Sequence, residues 1–154
     1  VELAGHTMAG GCVISSAADY RFLLSGAGRI GLTELMVGLP LPVVYLHGLH
    51  RIVSPHAVRG MLEGAALKPE EALEIGLLDA VAQSPEELRS MCLKRMDAIL
   101  RIEQDSFLPT RRLYRQSLLR QMEADEAEDV RMAAGLVKMP VFQRAVENIA
   151  GKNR

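Results

Sequence analysis

A glycine pair opens a helix built almost wholly of small residues: Ala9-Gly10-Gly11-Cys12-Val13-Ile14-Ser15-Ser16-Ala17-Ala18. Small side chains let such a helix lie close against a neighbouring backbone. Two glycines at its start forfeit helix propensity, roughly 1 kcal/mol each. Something has to offset that loss, and close approach of a ligand to the backbone would do so. The helix is predicted between short strands. Residues 1–4 read as a strand end and Gly5-His6-Thr7-Met8 as a tight connection. Asp19 to Leu24 reads as a strand that stops at the turn Ser25-Gly26-Ala27-Gly28, and Arg29 to Leu32 as a second short strand.

Beyond Glu34 the punctuation is clear. Gly38-Leu39-Pro40-Leu41-Pro42 is a rigid loop, and Pro42 opens a helix over about Val43 to Val53. Ser54-Pro55 caps the next helix, which Gly64 stops. Pro69-Glu70-Glu71 starts a short helix that ends at Gly76. Leu77 to Ala82 is strand-like. Ser84-Pro85-Glu86-Glu87 reads as a capping box, and Leu88, Met91, Cys92, Met96 and Ile99 follow at helical spacing. Tyr114, Leu118 and Met122 form another stripe. Glu123 to Asp129 reads as a solvated helix start or loop, with helix resuming at Val130, Ala133 and Val137. After Pro140, Phe142, Ala145, Val146 and Ile149 form a final amphipathic helix. The fold class is α/β. Residues 1–83 form the α/β core and 84–154 an α-helical region whose apolar stripes exceed what the short front can cover.

Composition bounds the partners. The chain has 154 residues, 49% hydrophobic and 24% charged, with a net charge of −1. That balance gives no electrostatic basis for a nucleic-acid partner. Arg111-Arg112-Leu113-Tyr114-Arg115 reads as a solvated helix face. No apolar run spans a bilayer, and the apolar start lacks the basic leading region of a signal peptide. Cys12 and Cys92 are too few for a disulfide framework and fit a reducing compartment: cytoplasm, or an organelle matrix in a eukaryote. No metal is expected, because no acidic residues accompany the histidines at ligand spacing. His47 and His50 share a helix face; all four histidines are assigned core or surface roles. Val1-Glu2-Leu3-Ala4 does not read as an initiation sequence, so an upstream segment is expected.

Chemistry is concentrated at the front. The Gly10 amide lies at a helix N-terminus, where N–H groups lack partners and the dipole adds positive potential. It is suited to stabilising charge on a carbonyl oxygen. Glu34 stands among Ile30, Gly31, Leu32, Leu35, Met36 and Val37. Desolvation in such surroundings makes a carboxylate a stronger base. Together they suit proton abstraction next to a thioester, which creates an enolate.

The runs Gly5-His6-Thr7-Met8-Ala9-Gly10-Gly11-Cys12, Ala18-Asp19-Tyr20-Arg21, Gly31-Leu32-Thr33-Glu34 and Gly38-Leu39-Pro40 resemble the crotonase (enoyl-CoA hydratase/isomerase) superfamily in order and spacing. Ala72-Leu73-Glu74-Ile75-Gly76-Leu77-Leu78-Asp79-Ala80-Val81 resembles its helix-to-strand segment. The resemblance implies a spiral of ββα units, of which residues 1–83 are the C-terminal part. It implies a helical region used in trimer assembly, often a dimer of trimers, and an acyl-CoA substrate whose CoA is the only cofactor-like group. It places Gly10 at the second oxyanion-hole amide and puts the other amide in an upstream half. Family members that hydrate a double bond use two glutamates. One would follow the Gly-Gly-Cys motif, where this chain has Val13; the other matches Glu34. A lone glutamate suits the Δ3,Δ2-enoyl-CoA isomerase branch. The alternatives are a hydratase, a decarboxylase, a thioester hydrolase or a non-catalytic acyl-CoA-binding member.

Overall fold

Two short parallel sheets are laid down alternately, so that successive strands stack as turns of a spiral. The computed structural model describes residues 1–26 and 28–151. Strand β1 (Glu2–Leu3) enters the first sheet and β2 (Thr7–Met8) the second; helix α1 (Gly10–Ser16) then crosses back. Strand β3 (Phe22–Leu24) joins β1, and β4 (Ile30–Gly31) joins β2, both in parallel register: Leu3 opposite Leu23, Met8 opposite Gly31. Helices α2 (Val43–Leu49), α3 (Pro55–Leu62) and α4 (Pro69–Glu74) lead to β5 (Ala80–Ala82), which completes the order β1-β3-β5. Parallel neighbours need a crossover, and the small-residue helix α1 supplies the first one.

Several expectations about the elements are corrected. Thr7–Met8 is a strand, not part of a connection, because Thr7 N–H donates to Arg29 O at 2.8 Å. The second strand of each spiral turn is only two residues long, so Arg29 to Leu32 contracts to Ile30–Gly31. The helix after Pro42 ends at Leu49 rather than Val53. Glu123 to Asp129 lies in the middle of a single helix, for reasons given below. The turn expected at residues 25–28 is seen at Ser25 and Gly26; Ala27 lies outside the described residues.

Local signals set the caps. Ser54 Oγ accepts from Ala57 N–H and Ser84 Oγ from Glu87 N–H, each with proline at the next position. The Glu87 carboxylate reaches back to Gln83 N–H. The main core gathers Leu3, Cys12, Leu23, Leu49, Met61 and Leu77 between the sheets and α1–α4. A second cluster joins Phe22 and Ala82 to Leu88 of α5 (Pro85–Leu100). Gly31 is required by contact: a Cβ there would stand 2.2 Å from Ala65 O. That clearance lets the chain beyond β4 pack against residues 65–67, where Ile30 and Leu67 exchange hydrogen bonds.

The tail continues through α6 (Gln104–Leu136) and α7 (Pro140–Gly151). Helix α6 spans 33 residues and packs on α2. Two acidic residues of its middle turn toward α2, which is why 123–129 is neither a start nor a loop. Asp125 Oδ2 meets His47 Nε2 at 2.6 Å, and buried Asp129 accepts from the α2 N-terminus. Leu100, Leu113 and Leu119 remain exposed on the tail. No helix among the described residues is long and apolar enough to cross a membrane.

The supposedly solvated basic run is a tether. Arg111 and Arg115 both donate to the Asp19 carboxylate, and Arg115 also to Ala17 O. Burial alone would raise the Asp19 carboxyl, but the two guanidiniums outweigh it and hold it below the ordinary value. A depressed acid contributes stability above its unfolded pKa and loses it as pH falls through its folded one. The thermal midpoint is therefore expected to drop as pH falls below about 4, with a shallower drop in Asp19→Asn. Identical acid slopes in the two proteins would contradict this contribution.

Candidate active site

One residue, Ala9, joins strand β2 to helix α1. Its N–H donates to Gly31 O at 2.8 Å, and its carbonyl accepts from Val13 N–H at 3.1 Å. Held from both sides, it adopts φ 52°, ψ −125°, a conformation L-residues rarely take. Such strain persists only where surroundings over-determine it. The result is a helix that starts directly at the strand end, with Gly10 first. No side chain caps it. Among the described residues, neither the Gly10 nor the Gly11 amide meets a protein acceptor.

A glycine pair at a helix start is commonly a packing device, and the geometry at Gly10 does not fit that use. A Cβ built on Gly10 would meet nothing within 4 Å, and one on Gly11 only Thr7 Cγ2 at 3.7 Å. Neither has the positive φ that favours glycine. Open space lies where Gly10 lacks a side chain, beside an unused helix-end amide.

The same sheet brings Glu34 to this helix. Strand β4 pairs with β2, so the chain leaving Gly31 runs alongside Ala9–Gly10. Three residues on, Glu34 enters a 3₁₀ turn, Leu35–Val37, with helical dihedrals φ −56°, ψ −50°. Its Oε2 is buried and has no hydrogen-bond partner. Its charge is felt on α1: burial first and the Glu34 carboxylate second push the Cys12 thiol up to about 12, with Arg21 opposing. Cys12 is accordingly an inert core thiol at neutral pH.

Val13 is half-buried and packed against the core, where it can neither ionise nor hold a water. It also lines a groove of about 700 Å³ between α1, α2 and α6, with Tyr45, Arg51, Leu118 and Met122. Gly10 and Glu34 do not line that groove. Arg21, the last residue of the Ala18-Asp19-Tyr20-Arg21 run, is structural. It is buried, and its Nε and Nη1 donate to Leu77 O and Ala18 O at 2.8 and 2.7 Å. Three of the four histidines bond elsewhere than Glu34, His47 on Asp125, His6 on Arg29 N–H and His56 on Arg59, and His50 is exposed. Among the described residues no group of His, Cys, Asp or Glu is placed to hold a metal ion.

The site thus stands in an α/β ββα spiral, with an uncapped small-residue helix after one strand and a carboxylate with a buried, unpartnered oxygen beyond its neighbour. A model of the enoyl-CoA hydratase/isomerase family matches residues 2–149, and the chain belongs to that family. The alpha subunit of a fatty acid oxidation complex from Pseudomonas savastanoi pv. phaseolicola is 35% identical over 94 residues, which is 60% of this chain and 13% of that protein. Human mitochondrial enoyl-CoA delta isomerase 1 is 24% identical over 145 residues, 93% of this chain and 48% of the relative. The crystal structure of human mitochondrial Δ3-Δ2-enoyl-CoA isomerase superposes with a TM-score of 0.86 at 23% identity, covering 97% of this chain and 58% of that one. An enoyl-CoA hydratase from Bacillus halodurans gives 0.81 at 19%, covering 94% and 57%. At such identities the superpositions establish the crotonase fold. The chain spans about half the length of the human relative.

Proposed function

We propose that the protein shifts the double bond of a 3-enoyl-CoA to C2 through a thioester enolate, with Glu34 as the proton shuttle and the Gly10 amide as an oxyanion donor. The observation that carries this reading is the buried Glu34 Oε2 without a hydrogen-bond donor. A carboxylate oxygen kept from both water and protein donors is destabilising to the fold, and it leaves a free lone pair for a substrate proton. It takes the proton from C2 and returns it to C4, so no second acid is required. The resulting enolate oxygen gains from a fixed N–H, a contribution worth about 3–4 kcal/mol per donor in comparable sites.

Val13 supports isomerisation over hydration, since no second carboxylate orients a water there. The names of the human relatives accord with that choice. Exposed apolar side chains on α5 and α6 support assembly with further copies of the chain, checked by light scattering.

The test is to supply a 3-enoyl-CoA and follow the absorbance of the conjugated 2-enoyl product, alongside crotonyl-CoA to follow water addition. Isomerisation outpacing hydration is expected; the reverse would overturn the assignment. Gly10→Val extends this. Its side chain enters open space, so the thermal midpoint should hold while turnover falls about 10²-fold or more, as when an oxyanion donor is lost. Full activity in Gly10→Val would show that no substrate carbonyl docks in the space beside that amide.

A further inference from the structure

We infer that Asp129, in the middle of α6, is a positioning residue for Glu34. This rests on the isomerase reading above. The Glu34 Oε2 meets no donor, so no protein hydrogen bond at that oxygen helps fix its place. Its position therefore depends heavily on the backbone of residues 34–42. At the start of that loop, Glu34 O accepts from Val37 and Leu39 N–H at 3.1 and 2.9 Å. At its end, Pro40 and Pro42 have no N–H to donate. Pro42 is the N-cap of α2 and offers no side-chain cap.

The tail supplies what the loop lacks. Asp129 Oδ1 accepts from Val43 N–H at 2.9 Å and Oδ2 from Val44 N–H at 2.8 Å. The residue is 7% exposed. Among the described residues no cation pairs with it, so the two amides are its partners. This is an N-cap delivered from 86 residues away in sequence. Helix α7 braces the middle of the same loop: Val141 Cγ2 lies 3.0 Å from where a Cβ on Gly38 would stand, at φ 77°. The segment that carries the base is thus secured to the tail at two points. A misplacement of about 1 Å can lower a rate 10²-fold without touching the reacting groups.

Two variants weaken the contact from opposite sides. Asp129→Asn keeps one acceptor and sets an amide N–H₂ against the other backbone N–H. Val43→Pro deletes one donor at the first helical position, where proline is well tolerated, after a residue whose ψ of 138° already suits it. Glu128→Gln is the control; that side chain is exposed and, among the described residues, pairs with Arg131 alone.

Both test variants should lower kcat at least about tenfold with KM within about twofold. Hydrogen exchange should quicken within residues 34–46 alone. The control should match the parent. A parent-like kcat in both variants, even with lowered thermal midpoints, would reduce Asp129 to a structural cap and overturn the inference. If the parent protein itself fails to isomerise a 3-enoyl-CoA, the functional reading fails separately. Exchange then decides: quickening confined to 34–46 upholds Asp129 as the anchor of the loop, and unchanged or global quickening removes it.

Discussion

Glu34→Gln is expected to abolish measurable isomerisation, a loss of about 10²–10⁴-fold in kcat, while the protein stays folded. The two side chains match in shape, but an amide cannot accept and return a proton in this way. Stability should move in the opposite direction to activity. The carboxylate holds one buried oxygen without a partner, and a neutral amide is less expensive to keep from water than a charge. The urea midpoint is therefore expected to stay level or rise, by up to about 1 kcal/mol in unfolding free energy. That pairing separates a catalytic carboxylate from a structural one. A structural glutamate would lose stability on neutralisation, and the activity would fall only as far as the fold did. An active Glu34→Gln protein, or one that unfolds, would contradict the assignment.

Arg21→Met should be the most damaging change to the fold, at about 3–5 kcal/mol. The side chain is buried at the start of β3 and serves three partners. Its Nε donates to Leu77 O at 2.8 Å, its Nη1 to Ala18 O at 2.7 Å, and its Nη2 reaches Asp79 Oδ2 at 3.4 Å. The last contact is long and Asp79 is part-exposed, so charge attraction is the smaller share. Most of the loss comes from the stranded acceptors, at about 1–3 kcal/mol for each buried one. Ala18 O lies just beyond the C-terminal end of α1, so the change also loosens the helix that presents Gly10. Arg21→Lys restores the charge but not the planar fork, and should recover less than half of the stability. Urea unfolding at constant m-value reads the effect. A loss under 1 kcal/mol in Arg21→Met would show that Leu77 O and Ala18 O find other donors.

What was legible in the sequence was local. Ser54, Ser84 and the Pro69-Glu70-Glu71 start announce their helices because a cap acts within three residues. The glycine pair and Glu34 were legible as unusual residue choices, and the pairing of β2 with β4 explains why they share a neighbourhood. The two-residue strands themselves carry no alternation to read, so Thr7–Met8 reads as a connection. Asp125 and Asp129 read as solvated because their partners, His47 and the Val43 and Val44 amides, lie 78 to 86 residues away. An acidic run looks solvated until a helix end arrives to use it. The same holds for Arg111 and Arg115, whose partner Asp19 lies 92 and 96 residues away. Nothing in the sequence marks the strain at Ala9, which exists only because β2 and α1 meet there without a linker.

The central claim is that one sheltered carboxylate carries the proton between two carbons. A 3-enoyl-CoA deuterated at C2, turned over briefly in ordinary water, tests it most directly. A single shuttle shielded from solvent should deliver part of the label to C4 of the 2-enoyl product within the first turnovers. Product formed at full rate with no deuterium at C4 even in the first turnover, the abstracted one having gone wholly to water, would contradict a shuttle shielded from solvent.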